Sequence, residues 1–291
     1  MKDWGRLITA MVTPFNNQMQ VDYEMASKLA NKLVKEGTTA FVICGTTGEA
    51  PTLSAAEKEN LFKLIKMSVD VPVIAGVGTN STASTIENCQ RAIECGVDGL
   101  LVVVPYYSKP DQESMYQHFK TVAEAVNGDI IVYNVPGRTG CNMLPATLAR
   151  LAEFKNIVAV KEASGNIQQL SEMVRVTPED FKVYTGDDGL TLPGLSVGGY
   201  GVVSVASQVV GIMMKEMIEF YLEGNVSNAA RRHIELLDIF EKLFCTTNPI
   251  PIKAALNLMG INVGGLRLPL VKANPSLQAE VQRGLRKLKL V

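Results

Sequence analysis

The apolar residues of the chain are concentrated in eight short runs between residue 7 and residue 205. Each run has four to seven residues, most of them Val, Ile, Leu or Ala, and is bounded mainly by Gly, Pro or polar residues. Apolar runs of this length are typical of strands that are covered on both faces of a parallel sheet. The sequence therefore predicts eight buried strands, at 7–12, 40–44, 71–77, 99–104, 130–133, 157–160, 181–184 and 202–205.

The stretches between these runs carry helical patterns. Met25, Leu29 and Leu33 recur every four residues, and Ser54 stands three residues before Glu57 in the pattern of a capping box. Strands that alternate with helices form parallel α/β structures, and eight such units at near-regular spacing indicate a (β/α)8 TIM barrel. A doubly wound sheet is the alternative that the pattern leaves open.

After the eighth run the chain continues through four helical patterns, at about 208–223, 226–244, 250–259 and 275–288. The first of these would close the barrel. We therefore expect a catalytic barrel over residues 1–224 and a C-terminal helical domain over residues 225–291. The uncharged stretch 189–214 is long enough to span a bilayer, but Pro193 and five glycines after Gly189 interrupt it, so we interpret it as a short helix, a turn and a buried strand.

The composition favours a small-molecule function. Twenty-eight basic and 29 acidic residues give a formal net charge of −1, which offers no electrostatic reason to expect nucleic acid or an anionic membrane as partner. The five cysteines form no C-x-x-C pair, and His118 and His233 are isolated, so we expect reduced thiols and no metal site. The first six residues lack the pattern of a secretory signal, and we expect a cytoplasmic protein.

The sixth run ends in Lys161, which is the cation at the C-terminal end of an apolar strand; Arg6 and Lys182 stand at strand starts. In a TIM barrel the active site is built at the C-terminal ends of the strands. A buried amine loses part of its preference for the charged form and becomes a nucleophile toward carbonyl carbon. Tyr133 ends the preceding run, so its phenol is placed to act as an acid-base partner of that amine.

Other strand ends carry groups suited to anions. Gly45 and Gly48 enclose Thr46 and Thr47, a turn that offers backbone N–H groups and two hydroxyls to a carboxylate. Arg138 follows Pro136-Gly137, and its planar guanidinium fits a second carboxylate. The chain lacks a complete dinucleotide fingerprint and a phosphate loop, which argues against a nucleotide-dependent oxidoreductase. Imine chemistry is the mechanism that these residues support best.

Taken together, these motifs resemble the dihydrodipicolinate synthase family of pyruvate-dependent class I aldolases, and the similarity runs along essentially the whole chain. The matching segments are Gly45-Thr46-Thr47-Gly48-Glu49, Tyr106-Tyr107, Tyr133-Asn134-Val135-Pro136-Gly137-Arg138-Thr139-Gly140 and Val160-Lys161-Glu162-Ala163-Ser164-Gly165. The resemblance implies a (β/α)8 barrel with a C-terminal helical extension. It also implies condensation of pyruvate with L-aspartate 4-semialdehyde in the diaminopimelate/lysine pathway, with neither a metal nor an organic cofactor.

The resemblance assigns roles to four catalytic residues. Lys161 matches the imine-forming lysine of the family, and Tyr133 matches the tyrosine that shuttles protons during imine formation and cyclisation. Thr46 matches the hydroxyl that links this tyrosine to a second one. Tyr107 matches that second tyrosine, which in the family comes from the neighbouring subunit. The resemblance therefore implies a homo-oligomer, a dimer or a tetramer, in which Tyr107 is shared across the dimer interface.

Four further residues match substrate-binding positions of the family. Thr47 matches a ligand of the pyruvate carboxylate, and Arg138 matches the ligand of the semialdehyde carboxylate. Gly186 and Val203 match backbone positions that line the pocket. Ser108 departs from the family, since many relatives have Asn there, and we expect this change to alter a turn more than the chemistry.

A larger departure concerns feedback by lysine. Inhibited relatives bind lysine at the dimer interface through imidazoles and a glutamate, but the matching residues here are Ala55, Lys58 and Ser84, although Asn80 and Tyr106 agree. Loss of the acidic partner and gain of a cation disfavour a cationic effector. We expect weak or absent inhibition by lysine.

Two alternatives remain at this stage. Another pyruvate-dependent aldolase, such as N-acetylneuraminate lyase or a 2-keto-3-deoxy sugar acid aldolase, would share Lys161 and Tyr133. Arg138 argues against it, because the second substrate of those enzymes presents hydroxyl groups at that place. A non-catalytic barrel is the second alternative. It would not need Tyr133, Thr46 and Tyr107, the linked hydroxyl groups that transfer protons in the family.

Overall fold

The computed structural model describes residues 3–291. Met1 and Lys2 lie outside the described residues. They are the first two of the six residues in which the sequence predicts no secretory signal. Eight strands close into one barrel in which each strand pairs in parallel with the next and the first pairs with the last. The predicted (β/α)8 barrel is confirmed, and the doubly wound alternative is excluded because an open sheet has two edges.

All eight predicted strands are present, with ends that differ from the predicted ones by no more than about two residues. The strands are β1 Leu7–Ala10, β2 Ala40–Ile43, β3 Val73–Gly76, β4 Gly99–Val103, β5 Ile130–Asn134, β6 Ile157–Glu162, β7 Lys182–Thr185 and β8 Gly201–Ser204. The helices are α1 Tyr23–Lys35, α2 Ala55–Ser68, α3 Thr82–Glu94, α4 Gln112–Ala125, α5 Pro136–Thr139, α6 Pro145–Leu151, α7 Ile167–Val176, α8 Thr191–Ser196, α9 Ser207–Leu222, α10 Val226–Leu243, α11 Ile250–Leu258 and α12 Pro275–Lys287.

Local sequence signals account for several helix starts. Helix α2 begins at the predicted capping box, in which the Ser54 hydroxyl accepts from the backbone N–H of Glu57 and the Glu57 carboxylate accepts from that of Ser54. Such reciprocal bonds satisfy N–H groups that a helix N-terminus otherwise leaves free. The uncharged stretch 189–214 forms α8, β8 and the first part of α9. Among residues 3–291, no helix is both long enough and apolar enough to cross a membrane.

The buried side chains form two layers. One lies between the strands and the surrounding helices, and the other fills the inside of the barrel. The inner layer ends toward the C-terminal side of the strands at Tyr133, Val135 and Val203. At the opposite end, the guanidinium of Arg6 and the amine of Lys182 both lie over the ring of Tyr200, at 4.3 and 4.2 Å from its centroid. Those two cations are therefore remote from the end where active sites form.

Helices α10, α11 and α12 follow the barrel and pack against α9 and each other. The proposed division between a barrel, 1–224, and a helical domain, 225–291, falls in the short connection between α9 and α10. Gly224 lies in that connection with a φ of +78°, a conformation that glycine adopts without strain. Residues of α10 and of the segment that leads to α11 extend over the C-terminal end of the barrel, where they border the cavity described below.

Candidate active site

A cavity of about 780 Å³ opens at the C-terminal end of the barrel, the size range of sites for small molecules. Lys161 lies in its wall together with Tyr133, Thr47 and Arg138. A second cavity of about 400 Å³ adjoins it and shares Thr46, Tyr133 and Arg138 with it. Six of the eight predicted site residues therefore border one continuous space: Lys161, Tyr133, Thr46, Thr47, Arg138 and Gly186.

Lys161 and Tyr133 are direct neighbours across two adjacent strands. The backbone register pairs Tyr133 of β5 with Lys161 of β6, and the lysine Nζ lies 4.5 Å from the centroid of the tyrosine ring. The two side chains are each 6% exposed. A phenol and an amine in contact at the edge of a buried layer have the geometry of an acid-base pair around a nucleophile.

The acidic residue next to Lys161 in sequence does not pair with it. Side chains alternate along a strand, so Glu162 faces the opposite side of β6. There its carboxylate accepts hydrogen bonds from Asn134 Nδ2 at 2.8 Å, from the backbone N–H of Ser164 at 2.8 Å and from Gln169 Nε2 at 3.2 Å. This network fixes the end of β6 and leaves the amine of Lys161 to the cavity.

Gly186 makes room for the lysine side chain. A Cβ at this position would lie 2.8 Å from Cε of Lys161 and 2.6 Å from Cβ of Ala163. Both distances are far below van der Waals contact, so no larger residue fits here without displacing the lysine. The backbone N–H of Gly186 donates to the carbonyl of Glu162 at 2.7 Å, which holds this chain segment against β6.

The turn after β2 carries the two predicted hydroxyls. Thr46 is half-buried and borders both cavities, whereas Thr47 is 3% exposed and borders the larger one. The carbonyl of Gly48 accepts from the hydroxyl of Thr13 at 2.7 Å, which ties the turn to the end of β1. Glu49 closes the turn in the left-handed region, at φ +56°. This conformation costs energy for a residue with a side chain and persists only where the surroundings fix it.

A buried ion pair fixes the turn from the C-terminal segment. The carboxylate of Glu49 lies 2.6 Å from the amine of Lys253, both side chains are 1% exposed, and the backbone N–H of Arg267 donates to Glu49 at 3.0 Å. Burial lowers the pKa of Lys253 to about 8. Among residues 3–291, Lys253 is the one buried lysine besides Lys161, but it does not border either cavity and also donates to the carbonyl of Gly265. It supports the site and is not a competing nucleophile.

Arg138 lies at the mouth of both cavities. It belongs to the short helix α5, Pro136–Thr139, which is followed by Gly140 with a φ of +74°. Its side chain is exposed, and its Nη2 donates to the backbone carbonyl of Asn248 at 3.3 Å. Most of its donors remain available for an anion, as a carboxylate ligand requires.

Two predicted residues lie outside the cavities. Tyr107 has a φ of +73°, is 88% exposed and borders neither cavity, although Tyr106 borders the smaller one. Val203 is fully buried in the inner layer of the barrel, and Val205 is the residue of this segment that borders the larger cavity. Lys58, one of the three residues from which we expect weak inhibition by lysine, borders the smaller cavity.

Two further groups carry no local signal in the sequence, one in the cavity wall and one buried in the neighbouring segment. Asn248 borders both cavities and donates to the hydroxyl of Thr47 at 2.8 Å. Asp188 is 1% exposed and accepts from the backbone N–H groups of Val205 and Ala206 at 3.2 and 2.9 Å; burial raises its pKa to about 6. Asn248 lies far from the strand ends in sequence, and only the path of the C-terminal segment brings it to the site.

Comparisons with known proteins find relatives along essentially the whole chain. Residues 3–288 match the model of the dihydrodipicolinate synthetase family. The chain is 58% identical to a 4-hydroxy-tetrahydrodipicolinate synthase of Heliobacterium modesticaldum, over 94% of this chain and 91% of the relative. It is 52% identical to the enzyme of the same name from a Cyanothece strain, over the full length of both chains. Among solved structures, dihydrodipicolinate synthase from Cyanidioschyzon merolae with lysine bound superposes with a TM-score of 0.97 at 46% identity, over 99% of each chain.

Proposed function

The chain belongs to the dihydrodipicolinate synthetase family, and from this premise we propose that Lys161 forms an imine with pyruvate and adds it to L-aspartate 4-semialdehyde. Its function is that of a 4-hydroxy-tetrahydrodipicolinate synthase, a Schiff-base-forming lyase of the diaminopimelate/lysine pathway. The observation that carries the residue assignment is the contact of Lys161 with Tyr133 in the wall of the cavity.

The chemistry begins with attack of the Lys161 amine on the ketone carbon of pyruvate. Loss of water gives an imine, which acts as an electron sink, so that the methyl group loses a proton and becomes an enamine carbon. That carbon attacks the aldehyde of the second substrate. The amino group of the second substrate then displaces Lys161 as the ring closes, and the enzyme is regenerated.

Each of these steps moves a proton, and we assign the transfers to a relay of hydroxyl groups. Tyr133 lies against the amine. It gives a proton to the hydroxyl group that leaves the carbinolamine as water, and it takes a proton back in the reverse step. Thr46 borders the same space and links Tyr133 to Tyr107 of the neighbouring subunit. Hydroxyls suit this task because each one can donate and accept.

Two carboxylates must be held while the bond forms. We assign the pyruvate carboxylate to Thr47 and the semialdehyde carboxylate to Arg138, with the backbone of Gly186 in the wall of the cavity. The exposed guanidinium at the mouth supports entry of the second substrate after pyruvate is bound. A sugar-acid aldolase would present hydroxyl groups to this position, which a guanidinium serves less well than it serves a carboxylate.

We also propose an oligomer, because Tyr107 borders neither cavity of its own subunit and is exposed. A dimer would bring Tyr107 of one copy to the site of the other, and a tetramer would contain two such dimers. The exposed rings of Tyr106 and Tyr107 support this assignment, since aromatic residues are enriched at interfaces. A cytoplasmic location also belongs to the proposal, and the five free cysteines support it.

The function is tested by a condensation assay with pyruvate and L-aspartate 4-semialdehyde. We expect turnover of this pair, and neither cleavage of N-acetylneuraminate nor of 2-keto-3-deoxygluconate. Arg138→Ala should raise the KM for the semialdehyde far more than the KM for pyruvate, because only the former loses a charge-assisted partner. Cleavage of a sugar acid without condensation of the semialdehyde would assign the chain to another aldolase activity.

Lysine should inhibit this enzyme weakly or not at all. Lys58 borders the smaller cavity, and Ala55 and Ser84 supply neither an imidazole nor a carboxylate. A cationic effector would meet a like charge there without an acidic partner. The condensation assay repeated with added lysine measures this, and strong inhibition at low lysine concentration would refute it.

A further inference from the structure

Asn248 connects the two residues that we assign to the substrate carboxylates. Its side-chain Nδ2 donates to Oγ1 of Thr47 at 2.8 Å, and its backbone carbonyl accepts from Nη2 of Arg138 at 3.3 Å. Asn248 is 4% exposed and borders both cavities. A single residue of the C-terminal segment therefore contacts one group that follows β2 and another that follows β5.

The hydrogen bond from Asn248 determines where the proton of the Thr47 hydroxyl can go. A hydroxyl has one proton and two acceptor lone pairs. When Oγ1 accepts from an amide, its own proton cannot be directed at that amide. Among residues 3–291, no acceptor takes this proton, and Thr47 borders the cavity that holds Lys161. The proton is thus left for an anion in that cavity.

We propose that Asn248 is a positioning residue for pyruvate, which keeps Thr47 a hydrogen-bond donor to the pyruvate carboxylate. The inference rests on the proposed function, because it takes Thr47 as the ligand of that carboxylate. Without the amide donor, the Thr47 hydroxyl is no longer held in this orientation: an acceptor at position 248 takes its proton, and an apolar side chain there leaves it free to rotate. The contact of the Asn248 carbonyl with Arg138 belongs to the backbone and persists when the side chain is changed.

Asn248→Asp tests the direction of the hydrogen bond with almost no change of shape. A carboxylate can only accept, so Thr47 must donate to it and no longer to pyruvate. We expect the KM for pyruvate to rise about 10- to 100-fold, the range for a hydrogen bond to a charged group. The KM for aspartate semialdehyde should change much less. Equal rises of both KM values, or an unchanged KM for pyruvate, would overturn the proposal.

A double-mutant cycle tests the same point without a buried charge. Thr47→Val removes the hydroxyl, so adding Asn248→Ala should raise the KM for pyruvate no further. In the Thr47→Ser background, where a hydroxyl remains, Asn248→Ala should still raise it. Additive effects in the valine background would show that Asn248 acts independently of the hydroxyl, and would overturn the proposal.

Borohydride trapping keeps this proposal separate from the proposed function. The unmodified enzyme should form a reduced pyruvate adduct on Lys161, and the Asn248 variants should form the same adduct at raised pyruvate concentration. An unmodified enzyme that forms no adduct would refute the proposed function. A normal adduct together with an unchanged KM for pyruvate in the Asn248 variants would refute only the role of Asn248.

Discussion

At the scale of single residues, the position of Lys161 depends on Gly186 as much as on its own strand. The glycine leaves the space that Cε of the lysine occupies, and its N–H bond to Glu162 holds the two segments together. The absence of a side chain at Gly186 is therefore required for the position of the Lys161 side chain. Glycine is needed here because of close approach and not because of backbone conformation, since its φ is not in the left-handed region.

Gly186→Ala should lower kcat while leaving the barrel folded. The added methyl group would overlap Lys161 and Ala163, and displacing a nucleophile by about 1 Å can cost about 100-fold in rate. Gly194→Ala is the matched control, because a Cβ there meets its nearest neighbour, Leu170, at 3.7 Å, an ordinary contact. The measurement is kcat together with the thermal midpoint of both variants. Parental kcat in Gly186→Ala would contradict the role assigned to this glycine.

Residue-level reasoning from the sequence identified those site residues whose signal is local. Lys161 ends an apolar run, Tyr133 ends the preceding one, and Thr46 and Thr47 lie between two glycines. Asn248 could not be identified in this way, because its role depends on a contact with Thr47 across 201 positions of the chain. A strand end can be predicted from the local sequence pattern. A residue that reaches the site from a distant segment has no such local pattern.

At the scale of elements, an irregularity between β5 and β6 sets the contact of Tyr133 with Lys161. Ile130 pairs with Ile157, but Ile131 pairs with Ala159, so one extra residue is inserted into β6 at this point. Without this bulge, the register would place Val160 opposite Tyr133. Bulges re-aim side chains in this manner and are common next to active sites. The sequence predicts both strands, but their register depends on the packing of neighbouring strands.

The buried carboxyl group of Asp188 holds the backbone of the segment that follows β8. It accepts from the N–H groups of Val205 and Ala206, and burial raises its pKa from 3.8 to about 6. A group whose pKa is higher in the folded than in the unfolded protein contributes stability below its unfolded pKa and loses it as the pH rises through the folded pKa. As the pH rises from about 4 to about 7, the contribution of Asp188 to the free energy of unfolding therefore falls.

Asp188→Asn should remove this pH dependence. The amide oxygen can still accept from the backbone, and the variant carries no buried charge at neutral pH. The free energy of unfolding of the variant relative to the parent should rise between about pH 4 and pH 7 by on the order of 3 kcal/mol, the equivalent of two pKa units. Urea unfolding at a series of pH values measures it. A constant difference across this range would contradict the assignment.

At the scale of the whole molecule, the barrel brings distant segments to one end, but one residue of the proposed proton relay lies outside the cavity. Thr46, Tyr133 and Lys161 border the cavity, whereas Tyr107 is exposed on a positive-φ turn outside it. The sequence predicted the barrel and the C-terminal helices because periodic patterns and strand spacing report them. It could not show which surface meets a second copy, since Tyr107, which we propose for the interface, has the same local pattern as a rim residue.

Mixed oligomers test the sharing of Tyr107. Lys161→Ala lacks the nucleophile and Tyr107→Phe lacks the relay hydroxyl, so each variant alone should have little activity. In a mixed dimer, the subunit that retains Lys161 receives Tyr107 from its partner. Random mixing should therefore restore about a quarter of the parental activity, since half of the dimers are mixed and each has one complete site. Activity that stays at the level of the separate variants, despite mixed dimers, would contradict a shared tyrosine.

The proposed reaction depends on an imine between Lys161 and pyruvate, and reductive trapping detects this bond. The protein is incubated with pyruvate and borohydride, digested, and the modified peptide is identified by mass spectrometry. We predict one pyruvate adduct on the peptide that contains Lys161, loss of activity in proportion to its formation, and no adduct in a folded Lys161→Ala variant. An adduct on another lysine, such as Lys253, or an equal adduct in Lys161→Ala, would contradict this account.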